Sequence, residues 1–104
     1  MKEKISLTFS ETALTDLERL LEYYKEQGSP DAGKRVVSQI LAKAEKLTTH
    51  PEMGRAVPEF GLDRLRELID PPFRIIYLRE KGKVRIVRVW RSERLLGQEA
   101  IQHD

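Results

Sequence analysis

The chain has 104 residues, of which 39% are hydrophobic and 35% charged, a balance that fits one folded domain over residues 1–104 and argues against a disordered chain. It has no cysteine and only two histidines, His50 and His103, far apart in sequence. That excludes a disulfide framework, a thiolate metal site and a cysteine nucleophile, and no metal or other cofactor is expected.

The net charge of +2 conceals a segregation along the chain. Residues 1–53 hold 8 basic and 9 acidic residues, residues 54–94 hold 11 and 6, and residues 95–104 hold 0 and 2. Nine of the 11 basic residues in the middle block are arginines, whose planar fork matches a carboxylate or phosphate better than an ammonium does. An anionic partner is therefore expected there. Residues 1–6 lack the apolar core of a signal peptide, and no apolar run approaches the roughly 18 residues of a membrane span. A cytoplasmic address with no membrane partner is the expectation.

In chain order, Ile5, Leu7 and Phe9 alternate with Ser6 and Thr8, which predicts a half-buried strand over residues 4–9. Ser10 is a good N-cap for a helix over residues 10–26 in which Leu14, Leu17, Leu20, Leu21 and Tyr24 recur at helical spacing. Asp16, Glu18, Arg19, Glu22 and Lys25 are assigned to its polar side, and Gly28 closes it. Ser29, Pro30 and Asp31 supply an N-cap, a first-turn proline and a first-turn acid for a second helix. Its apolar stripe of Ala32, Val36, Val37, Ile40, Leu41, Ala44 and Leu47 runs on until Pro51 ends it.

A turn-rich segment, residues 51–61, leads to three short strands predicted over residues 64–69, 73–79 and 83–90. Asp70-Pro71-Pro72 separates the first two, and Glu80-Lys81-Gly82-Lys83 makes a tight turn between the last two, which should pair antiparallel. The order β-α-α-β-β-β predicts an α+β fold, with a helical hairpin on one face of a mainly antiparallel sheet. Phe73, Ile75 and Tyr77 share one face of their strand. In the last strand strict alternation groups Val84, Ile86, Arg88 and Trp90 against Arg85, Val87, Val89 and Arg91. Residues 92–104 are read as a C-terminal tail.

His50-Pro51-Glu52-Met53-Gly54-Arg55, then Leu65-Arg66, then Phe73-Arg74-Ile75-Ile76-Tyr77 and Val87-Arg88-Val89-Trp90, stand in the order and spacing of a known family. From residue 4 to about residue 91 the chain resembles the RelE/ParE toxin superfamily of type II toxin–antitoxin systems, closer to ParE-like members. The resemblance implies a bacterial growth-inhibiting toxin neutralised by a cognate antitoxin, with a toxin–antitoxin hetero-oligomer and with plasmid stabilisation as a family role. The antitoxin segment would bury apolar side chains on the toxin and pair acidic residues with the arginines of residues 54–94. Members like RelE cut messenger RNA on the ribosome, and members like ParE inhibit DNA gyrase, so the target must be argued from the site.

Ribonuclease chemistry needs a base, positioned cations and a proton donor. The family's ribonucleases often place a phosphate-holding arginine where Arg74 stands and a histidine or tyrosine near the end of the last strand. Here that strand ends Trp90-Arg91-Ser92-Glu93-Arg94, and an arginine is a poor proton donor near neutral pH. Residues 51–70 also lack the lysines that RelE-like enzymes use. A metal-free endoribonuclease would have to use Glu59, Glu67 or Glu93 as base with Arg74, Arg88 and Arg91 as the phosphate clamp.

The leading expectation is therefore a protein-binding toxin acting on DNA gyrase, with a ribosome-dependent messenger-RNA endonuclease as the alternative and an inactive antitoxin-binding module as the second. Tyr23, Arg66, Arg74, Tyr77, Arg88, Trp90 and Arg91 are the expected partner-binding residues. Structural readings stand beside them. Arg74 and Arg88 could each pair with a carboxylate or lay their stems on apolar surface. Tyr77 and Trp90 could be core or interface aromatics. His50 reads as a helix-terminal residue, since a basic side chain in a last turn complements the helix dipole.

Overall fold

In the computed structural model, which describes residues 5–91, the chain runs β1 (Ser6–Phe9), α1 (Glu11–Glu26), α2 (Pro30–Glu45), a 3-10 turn (Lys46–Thr48), β2 (Arg55–Ala56), β3 (Leu65–Asp70), β4 (Phe73–Glu80) and β5 (Lys83–Arg91). The five strands form one sheet in the order β1-β5-β4-β3-β2. β1 pairs parallel to β5 and every other pair is antiparallel. The α+β reading of the sequence holds, and the predicted tail, residues 92–104, lies outside the described residues.

Local chemistry sets the element ends. Ser10 caps α1 by accepting from the Ala13 N–H, and Gly28 at φ 78° turns the chain out of the helix. Pro30 opens α2, though the Ser29 side chain makes no capping bond. The helices approach closely where Gly33 faces Tyr24, because a Cβ at Gly33 would lie 2.9 Å from the Tyr24 Cβ. α2 stops at Glu45 and continues only as the 3-10 turn. His50 is thus not in the last turn of the helix: it lies beyond it, exposed, with its Nδ1 2.9 Å from Thr49 Oγ1.

One side of the sheet is covered by the helical hairpin, and the core lies between them: Leu17, Ile40, Ala44, Leu47, Leu68, Phe73, Ile75, Tyr77, Val84, Ile86 and Val89. Burial of such a cluster is the main stabilising term, each large aliphatic side chain contributing about 1.5–3 kcal/mol. A smaller apolar cluster, Val57 and Ile76 with Leu65, Val87 and Trp90 against them, is separate from that core. Residues paired across β3, β4 and β5 share a face, which puts it on the side of the sheet away from the helices.

Two details depart from the sequence reading. A bulge in β5 shifts the register between Ile76 and Tyr77, with Ile76 opposite Arg88 and Tyr77 opposite Ile86. The extra residue, Val87, breaks the alternation, so Val89 joins Val84 and Ile86 in the core instead of lying across from them. Asp16, assigned from its chemistry to the polar side of α1, is buried.

Candidate functional site

The bulge brings together the residues of interest on the side of the sheet away from the helices. Arg74 on β4 pairs in register with Ile69 of β3 and Trp90 of β5, and Glu67 pairs with Ile76, which pairs with Arg88. Glu67, Arg74, Arg88 and Trp90 therefore stand on one face, around the Val57–Ile76 cluster.

Glu67 is almost wholly enclosed, at 1% exposure, and both carboxylate oxygens are engaged. Oε2 accepts from Arg55 Nε at 2.6 Å, and Oε1 accepts from Arg74 Nη2. Arg74 Nη1 lies 3.6 Å from Glu59 Oε2. Two guanidinium groups thus compensate the buried Glu67 charge, which alone would be strongly unfavourable. Arg74 is itself 8% exposed, and its Nε is buried without an acceptor.

Arg88 holds Asp16 of α1 through two hydrogen bonds, Nε to Oδ2 at 2.9 Å and Nη2 to Oδ1 at 3.1 Å. Its guanidinium carbon sits 4.7 Å from the centre of the Trp90 ring, within cation–π range. Asp16 Oδ2 also accepts from the Val89 N–H at 2.9 Å. β1 ends opposite Ile86. Beyond it, Ser10 donates its N–H to the Ile86 carbonyl and its hydroxyl to the Val87 carbonyl. Ser10 and Asp16 together satisfy the edge of β5 where its neighbour strand stops, which removes an open strand edge.

A third constellation fixes the chain before β2. The Tyr77 hydroxyl donates to the Pro51 carbonyl and accepts from the Gly54 N–H, each at 2.9 Å. A Cβ on Gly54 would lie 2.4 Å from the Glu67 carbonyl oxygen and 2.7 Å from the Tyr77 hydroxyl. Arg66 donates to the Gly54 carbonyl and to Asp63. Burial pushes the Tyr77 phenol above its usual value of 10.0, against lowering by the Gly54 hydrogen bond and by Arg66 and Arg79.

These positions sort the residues named from sequence. Tyr77 has no exposed surface with which to touch a partner; its ring is core and its hydroxyl is a structural clamp. Tyr23 is 48% exposed on α1, edge-on to Tyr24. Arg91 lies with its guanidinium carbon 5.7 Å from the Phe73 ring centre. Glu93 falls outside the described residues. Among the candidate bases, Glu67 is sealed between two arginines, while Glu59 keeps partial exposure. The described residues contain no group of three or more His, Cys, Asp or Glu placed to hold a metal ion, and no helix long and apolar enough to cross a membrane.

Sequence reasoning missed Asp16, although a signal was present: Ala13, Asp16, Leu17, Leu20 and Tyr24 fall at one helical spacing, so the buried stripe runs through the acid. The role of Gly54 was likewise hidden inside the His50–Arg55 phrase. Close backbone approach is what demands a glycine there.

The family model described as the ParE toxin of the type II toxin–antitoxin system parDE matches residues 7–96. Among solved structures, the chromosomal ParDE toxin–antitoxin system of P. aeruginosa aligns with a TM-score of 0.71 and 21% identity, covering 85% of this chain and 96% of that one. The toxin–antitoxin complex RelBE2 of Mycobacterium tuberculosis aligns with a TM-score of 0.65 and 20% identity, covering 86% and 99%. The DinJ–YafQ toxin–antitoxin complex of E. coli follows at 0.52 and 11%, covering 91% and 100%. At these identities the likeness is one of fold. No curated protein matches the sequence.

Proposed function

The chain belongs to the ParE toxin family of type II toxin–antitoxin systems, and from that premise we propose that this toxin acts by holding a protein target, DNA gyrase, and not by cutting RNA. The observation that carries the reading is the state of Arg74. It is nine-tenths buried and already pairs with Glu67 and Glu59. A phosphate clamp needs guanidinium donors aimed at open space where charge develops, and a general base must reach the proton it removes. Arg74 and Glu67 meet neither requirement, and Arg88 is committed to Asp16.

A protein-binding surface needs no proton transfer. The sheet face away from the helices offers the half-buried Leu65, Val87 and Trp90 around the buried Val57 and Ile76, with Arg88 over the Trp90 ring, the mixture of aromatic, aliphatic and arginine that strong interface sites use. The cognate antitoxin and the target would each present apolar and acidic side chains to it, forming a toxin–antitoxin hetero-oligomer in the cytoplasm. Residues 1–104 act in this reading as one toxin domain.

The test is to induce the chain in cells and compare gyrase supercoiling with the ends of translated messenger RNA. Inhibited supercoiling with intact messages is expected. Translation-dependent cuts with normal supercoiling would overturn the proposal in favour of a ribosome-dependent endonuclease, and neither effect would leave an antitoxin-binding module without toxicity.

A further inference from the structure

The two edges of the sheet are finished differently. On one side the outermost strand, β2, is only two residues long. On the other side β1 is outermost, and past its end Ser10 and Asp16 close the edge of β5. The outer edge of β1 itself has no such closure. Ser6 donates its N–H to the Gly82 carbonyl and Ser10 to the Ile86 carbonyl, so Ser6, Thr8 and Ser10 turn their main-chain groups toward β5. Alternation then turns those of Ile5, Leu7 and Phe9 outward. The Ile5 N–H is taken by the Thr48 carbonyl at 3.1 Å. Among the described residues, nothing accepts from the N–H groups of Leu7 and Phe9.

The devices that usually blunt such an edge are missing. Residues 5–10 read Ile-Ser-Leu-Thr-Phe-Ser, without a charge, a proline or a glycine, and an edge left in that state is a template for another strand. The side chains of Ile5, Leu7 and Phe9 lean half-buried against the core on the helix face, while Ser6 and Thr8 are exposed on the opposite face.

We propose that this edge joins a second copy of the chain, with β1 running antiparallel to the partner's β1 about a two-fold axis centred on Leu7. In that register the Leu7 N–H donates to the carbonyl of the partner's Leu7, and the Phe9 N–H donates to the carbonyl of the partner's Ile5. Each free donor thus meets an outward acceptor, and the one outward N–H already in use, that of Ile5, falls at the end of the ladder. The side chains agree with the same register. Leu7 meets the partner's Leu7 and Ile5 meets the partner's Phe9, extending the apolar row under the helices, and Thr8 stands against the partner's Ser6, a favourable hydroxyl pair. A strand that faces itself must carry no charge at the crossing, and this one carries none. The two sheets become one continuous sheet, and the two-fold axis, perpendicular to it, leaves both faces away from the helices on the same side. Such a dimer would hold a target that carries its binding site twice, with the gain that linked sites give. The dimer itself does not depend on which target the toxin has.

Sedimentation of the full chain alone, from about 1 µM to about 1 mM, should follow a monomer–dimer equilibrium. A monomer at every concentration overturns the proposal. Amide exchange locates the contact: Leu7 and Phe9 should exchange at least about tenfold more slowly in the dimer than in the monomer, whereas Ser6 and Thr8, already bonded to β5, should change little. Ser6→Glu with Thr8→Glu sets carboxylate against carboxylate across the axis, while within each copy these positions stand beside Lys83 and Arg85, so the fold is kept. The dimer should weaken by about tenfold or more at low salt and by less at high salt.

The absence of cysteine from the chain allows the register to be tested directly. A mixture of Ser6→Cys and Thr8→Cys chains should give a disulfide-linked dimer on mild oxidation, because the two positions face each other with Cα atoms about 4.5 Å apart. Neither variant alone should do so, since like positions are then roughly 8 Å apart, beyond disulfide reach. A dimer that leaves the Leu7 and Phe9 amides unprotected, or whose mixed variants do not cross-link, is joined elsewhere and overturns the proposal. Protection that appears only when the protein encoded beside this gene is added would assign the edge to a strand of that protein and overturn it as well.

Discussion

Tyr77 donates its hydroxyl hydrogen to the carbonyl of Pro51 across 2.9 Å, and the same oxygen accepts from the Gly54 N–H. One buried phenol on a central strand thereby pins both ends of the turn that precedes β2. Tyr77→Phe keeps the ring and deletes both bonds, leaving a buried donor and acceptor unpaired, at a cost of about 1–3 kcal/mol. Urea unfolding should show a lowered midpoint with an unchanged slope. A variant as stable as the parent would mean that the hydroxyl is not a clamp.

The same phenol gives an alkaline signature. Its folded value is raised above the ordinary 10.0, chiefly by burial, so folding favours the protonated form. That contribution is complete below pH 10 and is lost as pH rises through the folded value. The stability gap between the parent and Tyr77→Phe should therefore narrow above about pH 10. Equilibrium unfolding from pH 8 to 11 measures it, and a gap that widens there contradicts the sign.

Gly54→Ala is expected to be worse than an ordinary surface change, since the new Cβ would meet a backbone carbonyl of β3 at 2.4 Å and the Tyr77 hydroxyl at 2.7 Å. The carbonyl cannot move without disturbing the β3 ladder, nor the hydroxyl without giving up its bonds to Pro51 and Gly54, so destabilisation of about 3 kcal/mol is expected, at the upper end for overpacking. By contrast, Gly61→Ala meets no atom within 4 Å and pays only for its positive φ, about 1 kcal/mol. Thermal melts of the two variants side by side should rank them in that order.

Asp16 and Arg88 form a part-buried pair that also holds the Val89 N–H. Asp16→Ala removes two hydrogen bonds from the guanidinium and the acceptor of a buried edge amide, and should cost about 3 kcal/mol. Asp16→Asn keeps an acceptor for Val89 and should cost roughly half as much. Hydrogen exchange offers a direct readout: the Val89 amide should stay protected in the asparagine variant and exchange much faster in the alanine variant.

The layers of the fold were legible because periodicity and capping are local. Ser10, Pro30 and the Lys81-Gly82 turn each announce an element end through their own chemistry, and the β-α-α-β-β-β order then leaves few ways to bury the stripes. The bulge was not legible, because Val87 is an ordinary strand residue whose extra place in the ladder is decided by its neighbour across the sheet. β2 was missed for a similar reason: two residues, Arg55 and Ala56, are too few to show a period. At the site, the sequence could name Arg74 and Glu67 but not join them, since register alone decides which arginine meets which carboxylate. The His50–Arg55 phrase pointed to the right place with the wrong residue in front. Its histidine is exposed, and its glycine and proline carbonyl are what the core engages.

Whether Arg74 is a structural partner or a working group can be decided by a double-mutant cycle with Glu67. Removing either side alone leaves a buried charge short of its partner, so Arg74→Met and Glu67→Gln should each destabilise the chain by about 3 kcal/mol or more. Removing both should cost clearly less than the sum, with a coupling of about 1–3 kcal/mol, since the residues are in direct contact. Arg55 complicates only the Glu67 arm, because it bonds the other oxygen. The cycle is then read against growth inhibition. If Arg74 works only through the fold, the double variant, refolded and soluble, should regain toxicity along with stability. A catalytic guanidinium behaves differently: stability would return in the double variant while toxicity stayed lost by a factor of about 10²–10³. That second pattern, accompanied by loss of messenger-RNA cuts that the parent makes, is the result that would overturn the proposed gyrase binding in favour of RNA cleavage.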